Sequence, residues 1–218
     1  MENLRRIAED IRIELEAKNS AREQALKSSR EAIRLSANAI RAVHREEFDD
    51  ARQLMAETRK KIHATTEVLK DQLDIYYAGY VQDAQKEYAE SELTYALVKD
   101  EALPSHQELG VECASYLNGL GEALGECRRH VLDLIRRGNI ERAEDLLQIM
   151  DEAFCVLVTF DYPEAVTAGL RRTTDMVRGV LERTRGDLTM IIRQQELEKC
   201  IESAASRWDY EHRAGQDS

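Results

Sequence analysis

The near absence of helix breakers constrains this chain more than any other feature. Pro104 and Pro163 are its only prolines in 218 residues, and neither Gly nor Pro interrupts residues 2–45. Over that stretch Leu4, Ile7, Ile11, Leu15 and Ala17 begin an apolar stripe. Ala25, Ala32, Leu35, Ala39 and Val43 continue it near the helical period. The spacing predicts one long helix over 2–45. Asp49 and Asp50 offer caps for a second, over about 50–66. A third, over about 68–98, would carry Leu69, Leu73, Tyr76, Tyr77, Tyr80, Ala84 and Tyr88 on one broad face. Pro104 and Ser105 then break and restart the chain.

Segment 111–137 has the clearest seam: Leu117, Leu120, Leu124, Cys127, Val131 and Leu134, spaced alternately by three and four. Gly138-Asn139 closes it with a left-handed C-cap signal. A further helix is expected over 140–159. Asp161-Tyr162-Pro163-Glu164 opens the last region, with Asp161 or Tyr162 as cap and Pro163 in the first turn. That region reaches about residue 207.

The expected architecture is therefore all-α, an antiparallel bundle of about seven helices. Only 6% of residues are aromatic and 33% are charged, which disfavours a strand-dominated fold. No linker-like stretch or fixed-period repeat divides the chain. Residues 1–213 are expected to form a single domain, with 214–218 a disordered tail. The longest apolar run, Ala153 to Phe160, is too short to span a bilayer. Met1-Glu2-Asn3-Leu4-Arg5-Arg6 has charges where a signal peptide needs an apolar run. Cys113, Cys127, Cys155 and Cys200 form no CxxC pair and read as small apolar side chains in a reducing compartment. Together these predict a cytoplasmic protein with no membrane contact.

Four glutamates carry the chemical signal. Glu87 and Glu90 are three apart, and Glu122 and Glu126 are four apart, so each pair shares one side of a helix. Two helices presenting such pairs can pool carboxylates around a hard divalent cation, and such a cation can drive phosphodiester hydrolysis. A solvated acidic face has the same spacing, and an acidic protein has many such pairs. The second pair is distinguished by Gly119, Gly121 and Gly125 around it. Each glycine inside a helix costs roughly 1 kcal/mol relative to Ala. A closely approaching helix or ligand would account for that cost. Glu87 falls at the shoulder of the tyrosine-rich face, where partial desolvation favours a cationic partner.

Other chemistries lack their signatures. No His follows a Glu by three residues, no Cys/His spacing suggests zinc, and no Gly-rich phosphate loop is present. His130, one turn after Glu126, reads more readily as a surface histidine than as a catalytic one. The net charge of −11 argues against a uniformly positive DNA-binding coat but leaves local patches open. One such patch, over 51–70, has Arg52, Arg59, Lys60, Lys61 and Lys70 against Glu57 and Glu67, with His63 among them. Another, over 171–185, has Arg171, Arg172, Arg178, Arg183 and Arg185 against Asp175 and Glu182. Clustered positive charge in an acidic protein suits phosphate contact, although an ordinary solvated helix face looks the same.

Several segments, taken in order, resemble the translin family, and its Trax (translin-associated protein X) branch more than translin itself. Asp10-Ile11-Arg12-Ile13-Glu14-Leu15, leading to Ala42-Val43-His44-Arg45, is similar to the family's long first helix. Gln85-Lys86-Glu87-Tyr88-Ala89-Glu90 resembles the Gln-Glu-Tyr-x-Glu stretch of Trax. Tyr116-Leu117-x-Gly119-x-x-Glu122-x-x-Gly125-Glu126 resembles the Trax segment with an acidic residue followed by Gly-Glu. Leu170-Arg171-Arg172 and Arg185-Gly186 fit the C-terminal helices. The compact length fits the single-subunit, archaeal form.

The resemblance implies a seven-helix fold assembled into a hollow homo-octamer with nucleic acid on its inner wall. It also implies a Mg2+-dependent endoribonuclease, with Mn2+ as the alternative ion. Glu87, Glu90, Glu122 and Glu126 would be both the catalytic residues and the metal ligands. Position 122 is Asp in the Trax pattern and Glu here, and the extra methylene moves the carboxylate by roughly 1.5 Å. RNA would lie along Arg52, Arg59, Lys60, Lys61 and His63, with Arg171 and Arg172 as secondary contacts. The alternative is a translin-like protein that binds single-stranded RNA or DNA without cleaving it. A purely structural helical adaptor is a third reading.

Overall fold

A computed structural model describes residues 1–214 of the chain, and side chains through Trp208. Among the described residues there is no strand. Nine helices follow in order: α1 (Glu2–His44), α2 (Phe48–Leu69), α3 (Leu73–Tyr76), α4 (Tyr80–Lys99), α5 (His106–Leu109), α6 (Cys113–Arg136), α7 (Ile140–Leu157), α8 (Glu164–Thr167) and α9 (Leu170–Ala214). Six are long, and three are single turns inside connections. The all-α class expected from the sequence is the one observed. Among the described residues, no helix is long and apolar enough to cross a membrane.

α4 occupies the centre. It packs on α1 and α2 on one side and on α6 on the other, while α6 also meets α7 and α9. Tyr88, Ala89, Leu93, Ala96 and Leu97 are all buried, so α4 has no wide solvent face. The main core joins these residues to Ala39 and Val43 of α1, Met55 and Ile62 of α2, Leu120, Leu124, Cys127 and Val131 of α6, Leu146 and Met150 of α7, and Val177 and Leu181 of α9. The expected α6 seam therefore does face the core. A smaller cluster of Ala25, Leu69, Ile75, Tyr76 and Val81 fills the corner where α2 turns into α4.

That corner corrects the expected helix over 68–98. α2 continues to Leu69, α3 makes one turn, and α4 begins after Gly79 at φ +100°. Only glycine adopts that backbone angle without strain, so the helix cannot run through it. Leu73 and Tyr77, expected on the apolar face, point to solvent instead. At the other boundaries Ser105 caps α5 through a reciprocal pair of bonds with Glu108, and Gly138 takes the left-handed conformation after α6. Pro163 is the N-cap of α8 rather than a first-turn residue, and Ala168-Gly169, both at positive φ, separate α8 from α9.

The ends of the two longest helices leave the core. Every residue of α1 up to Ala17 is exposed, including Leu4, Ile7, Ile11 and Leu15, so the first half of the predicted stripe lies outside both core clusters of the described residues. Along α9, Ile192 still packs against the core, while Met190, Leu197 and Ile201 are exposed. Of the expected tail at 214–218, Ala214 ends α9 and the remainder lies outside the described residues. All four cysteines are free, but only Cys127 is the small core residue expected, its thiol pushed up to about 12 by burial; the other three are exposed.

Candidate functional site

Gly119 sets the distance between α4 and α6. A Cβ there would lie 2.8 Å from the Lys86 carbonyl oxygen, 2.9 Å from Ala89 Cβ and 3.0 Å from the Glu90 nitrogen. The two backbones touch at a point only glycine allows, as the cost of a mid-helix glycine suggests. One turn earlier on α6, Ser115 Oγ donates to the Gln82 carbonyl at 2.9 Å and pins the same pair. Gly121 serves a second approach, where Thr173 of α9 fills the space a side chain would need. Thr173 also donates to Asn118 Oδ1 at 2.6 Å, and Asn118 Nδ2 donates to the Thr167 carbonyl at 2.9 Å. These bonds fix the start of α9 against α6. Gly125 has open space instead, with nothing within 4 Å of an added Cβ.

This crossing brings three of the four predicted glutamates together. Oxygens of Glu87 and Glu90 from α4 and Glu122 from α6 all lie within 4.8 Å of one another. Glu90 is the buried member, at 8% exposure. Burial pushes its carboxyl up to about 8, and the charges of Glu87, Glu122 and Glu126 push the same way against an opposing Lys86. An all-oxygen set on two rigid helices fits a hard divalent cation, and the mutual repulsion around Glu90 is what such a cation relieves.

Lys86 enters the cluster unannounced by the sequence. Its Nζ donates to Glu122 Oε1 at 2.8 Å and lies 3.3 Å from Glu87 Oε1. Desolvation pulls the ammonium pKa down, but the bond to Glu122 and the two carboxylate charges outweigh it, and the net shift is upward. From sequence alone, a lysine beside a glutamate on a helix reads as a solvated pair; its reach across to α6 is a tertiary fact.

Glu126, the fourth glutamate, is held apart from that triangle. Its Oε2 lies 2.5 Å from Nε2 of His44, whose side chain is 3% exposed at the end of α1. The hydrogen bond to His44 lowers the Glu126 pKa despite opposing burial. His44 Nδ1 is buried with no hydrogen-bond partner among the described residues. His130, one turn along α6, is also held below its ordinary pKa, first by burial and then by the charge of His44. It is therefore half-buried beside the site rather than the surface histidine expected.

The two basic stretches divide differently from expectation. Arg52 donates to Glu101 at 2.8 Å and stacks 4.1 Å over the Tyr95 ring. Arg59 donates to the Glu108 carbonyl at 2.8 Å, and Lys61 to Glu31 at 2.5 Å. Arg52 and Arg59 act on Glu92, which lies roughly 200° around α4 from Glu90 at 100° per residue. Lys60 and His63 are exposed on the same α2 helix. The 51–70 stretch thus sits away from the glutamate triangle. Arg172, by contrast, lines a cleft of about 610 Å3 together with Lys86, Glu122 and Thr173. It is shared with a larger cleft of about 1180 Å3, where Arg171, Arg178, Phe160 and Tyr162 also line the wall.

A helical bundle with three glutamates converging at its central crossing defines a class, and comparison with known proteins gives that class a family. No protein-family model matches the chain. An uncharacterized protein of Methanocaldococcus jannaschii is 33% identical over 185 residues, covering 83% of this chain and 80% of that one. AfC3PO, solved in a complex with duplex RNA, superimposes with a TM-score of 0.80 at 28% identity, covering 86% of this chain and 97% of that one. NeC3PO, in its apo form, gives 0.72 at 25% identity, covering 88% and 98%. The chain belongs to the translin/C3PO family.

Proposed function

We propose that this protein is a divalent-cation-dependent endoribonuclease, a single translin-like domain over residues 1–213 that works as a hollow homo-oligomer, an octamer, on cytoplasmic RNA. The observation that carries the reading is the convergence of Glu87, Glu90 and Glu122 from two helices, with Glu126 one turn further along α6. The duplex RNA bound to AfC3PO supports RNA as the ligand class.

Glu87, Glu90 and Glu122 would hold Mg2+ or Mn2+, and Glu126 would accept a hydrogen bond from an intervening water. When bound, the ion supplies Lewis acidity for water activation and for charge developing at phosphorus. The chain's own groups do the rest. His44 fixes the rotamer of Glu126 and keeps that carboxylate ionised. Arg172, across the adjoining cleft from Glu122, would hold a backbone phosphate. Arg171 continues this path, and Arg52, Arg59, Lys60, Lys61 and His63 on α2 would contact more distant phosphates.

A second reading, a binding protein without catalysis, draws support from Lys86, which already neutralises part of the cluster. Labelled RNA incubated with the purified protein separates the two. Cleavage with Mg2+, none with EDTA, and a loss of at least a hundredfold in Glu126→Gln and Glu90→Gln is the expected result. Retention of RNA without Mg2+-dependent cleavage would establish the binding protein. Equal cleavage by the variants would move the active site elsewhere.

A further inference from the structure

Resting on the cation-site reading above, we propose that Lys86 is a tethered counter-cation that limits the glutamate cluster to one divalent ion. Its Nζ spans Glu122 Oε1 at 2.8 Å and Glu87 Oε1 at 3.3 Å, so it bridges a carboxylate of α6 and a carboxylate of α4. Bridging of that kind is what a second ion does in two-metal phosphodiesterases, whose ions lie about 3.5–4 Å apart. Here an ammonium holds that edge of the triangle.

Charge balance points the same way. One ammonium and one divalent ion cancel three carboxylates, whereas a second divalent ion would leave the cluster positive and place itself against Lys86. The fourth carboxylate is not free to compensate, because His44 engages it at 2.5 Å. Nor is Lys86 a loose surface side chain: it is 25% exposed, packed where α4 crosses α6. The lysine therefore does two things. It holds the helices together before an ion arrives, and it excludes the second ion afterwards.

Mn2+ titration of the full chain, read as free Mn2+ by electron paramagnetic resonance, tests this without reference to activity. The unmodified protein and Lys86→Arg should each take up one equivalent per chain. Lys86→Gln should take up a second equivalent, and Glu90→Gln should take up none. Lys86→Met serves as a second neutral variant, with thermal melting to verify that each is folded. Two equivalents in the unmodified protein would overturn the proposal outright, whatever the variants do. One equivalent, lost in Glu90→Gln but unchanged in Lys86→Gln and Lys86→Met, would leave the cation site standing and remove Lys86 from it. No uptake by any form would bring down the cation site and the proposal together.

Discussion

At the scale of single residues, the site is a set of carboxyls in unlike states. Glu90, with a pKa of about 8 in the folded chain, keeps a proton that the unfolded chain gives up in the ordinary carboxylate range. A raised folded pKa contributes stability that is fully present below the unfolded value and lost as pH rises through about 8. The melting temperature of the metal-free protein should therefore fall between pH 5 and pH 9, and Glu90→Gln should flatten that fall. A profile of equal slope in the variant would remove Glu90 as its source. Since a bound cation must displace the Glu90 proton, Mn2+ should raise the melting temperature more at pH 8 than at pH 6.

Glu126 has the opposite sign. Its folded pKa is depressed, first by the bond to His44, so its contribution is present above the ordinary carboxylate range and lost as pH falls through the folded value. His44→Ala removes that partner and should cost about 1–3 kcal/mol by urea denaturation near neutral pH, as for any buried partner removed. His44→Gln, which can still donate, should recover part of the loss.

At the scale of elements, the α4–α6 contact depends on what is missing from α6. Gly119→Ala forces a Cβ to within 2.8–3.0 Å of α4 backbone and Ala89, and should cost about 1–3 kcal/mol. Gly125→Ala meets nothing within 4 Å and should gain roughly 1 kcal/mol from helix propensity. Opposite shifts in urea midpoint would check the pair, and a stable Gly119→Ala would mean the helices are not in backbone contact.

This contrast also marks how far the sequence could be read. The α6 seam and the scarcity of prolines made the bundle legible, because period and punctuation are local properties. The glycines signalled a close approach, but not that Gly119 meets α4, Gly121 meets α9 and Gly125 meets nothing. The break at Gly79 was hidden because the tyrosines around it continued the apolar count. Lys86 and His44 were invisible as site residues for a different reason: each acts on a carboxylate at least 36 residues away. The basic run on α2 was visible, but which side of α4 it would occupy was not.

At the scale of the whole molecule, the chain is a packed middle with two projecting rods. Leu4, Ile7, Ile11 and Leu15 on one and Met190, Leu197 and Ile201 on the other are exposed apolar side chains. Exposed patches of this kind mark association surfaces, and a second copy of the chain is the partner that the homo-oligomer reading supplies. Replacing Leu4, Ile7 and Ile11 with Ser should lower the particle mass measured by light scattering. Helix content should be kept, because none of the three packs against the core. An unchanged mass would place the contacts elsewhere.

Gly119 has a consequence beyond packing. It contributes no atom to the cluster, yet it sets the aperture of a caliper whose jaws carry Glu87 and Glu90 on one side and Glu122 on the other. One methyl group there would spread the jaws while leaving every carboxylate in place chemically. The span offered to an ion is therefore written in a residue that no inventory of ligands would include.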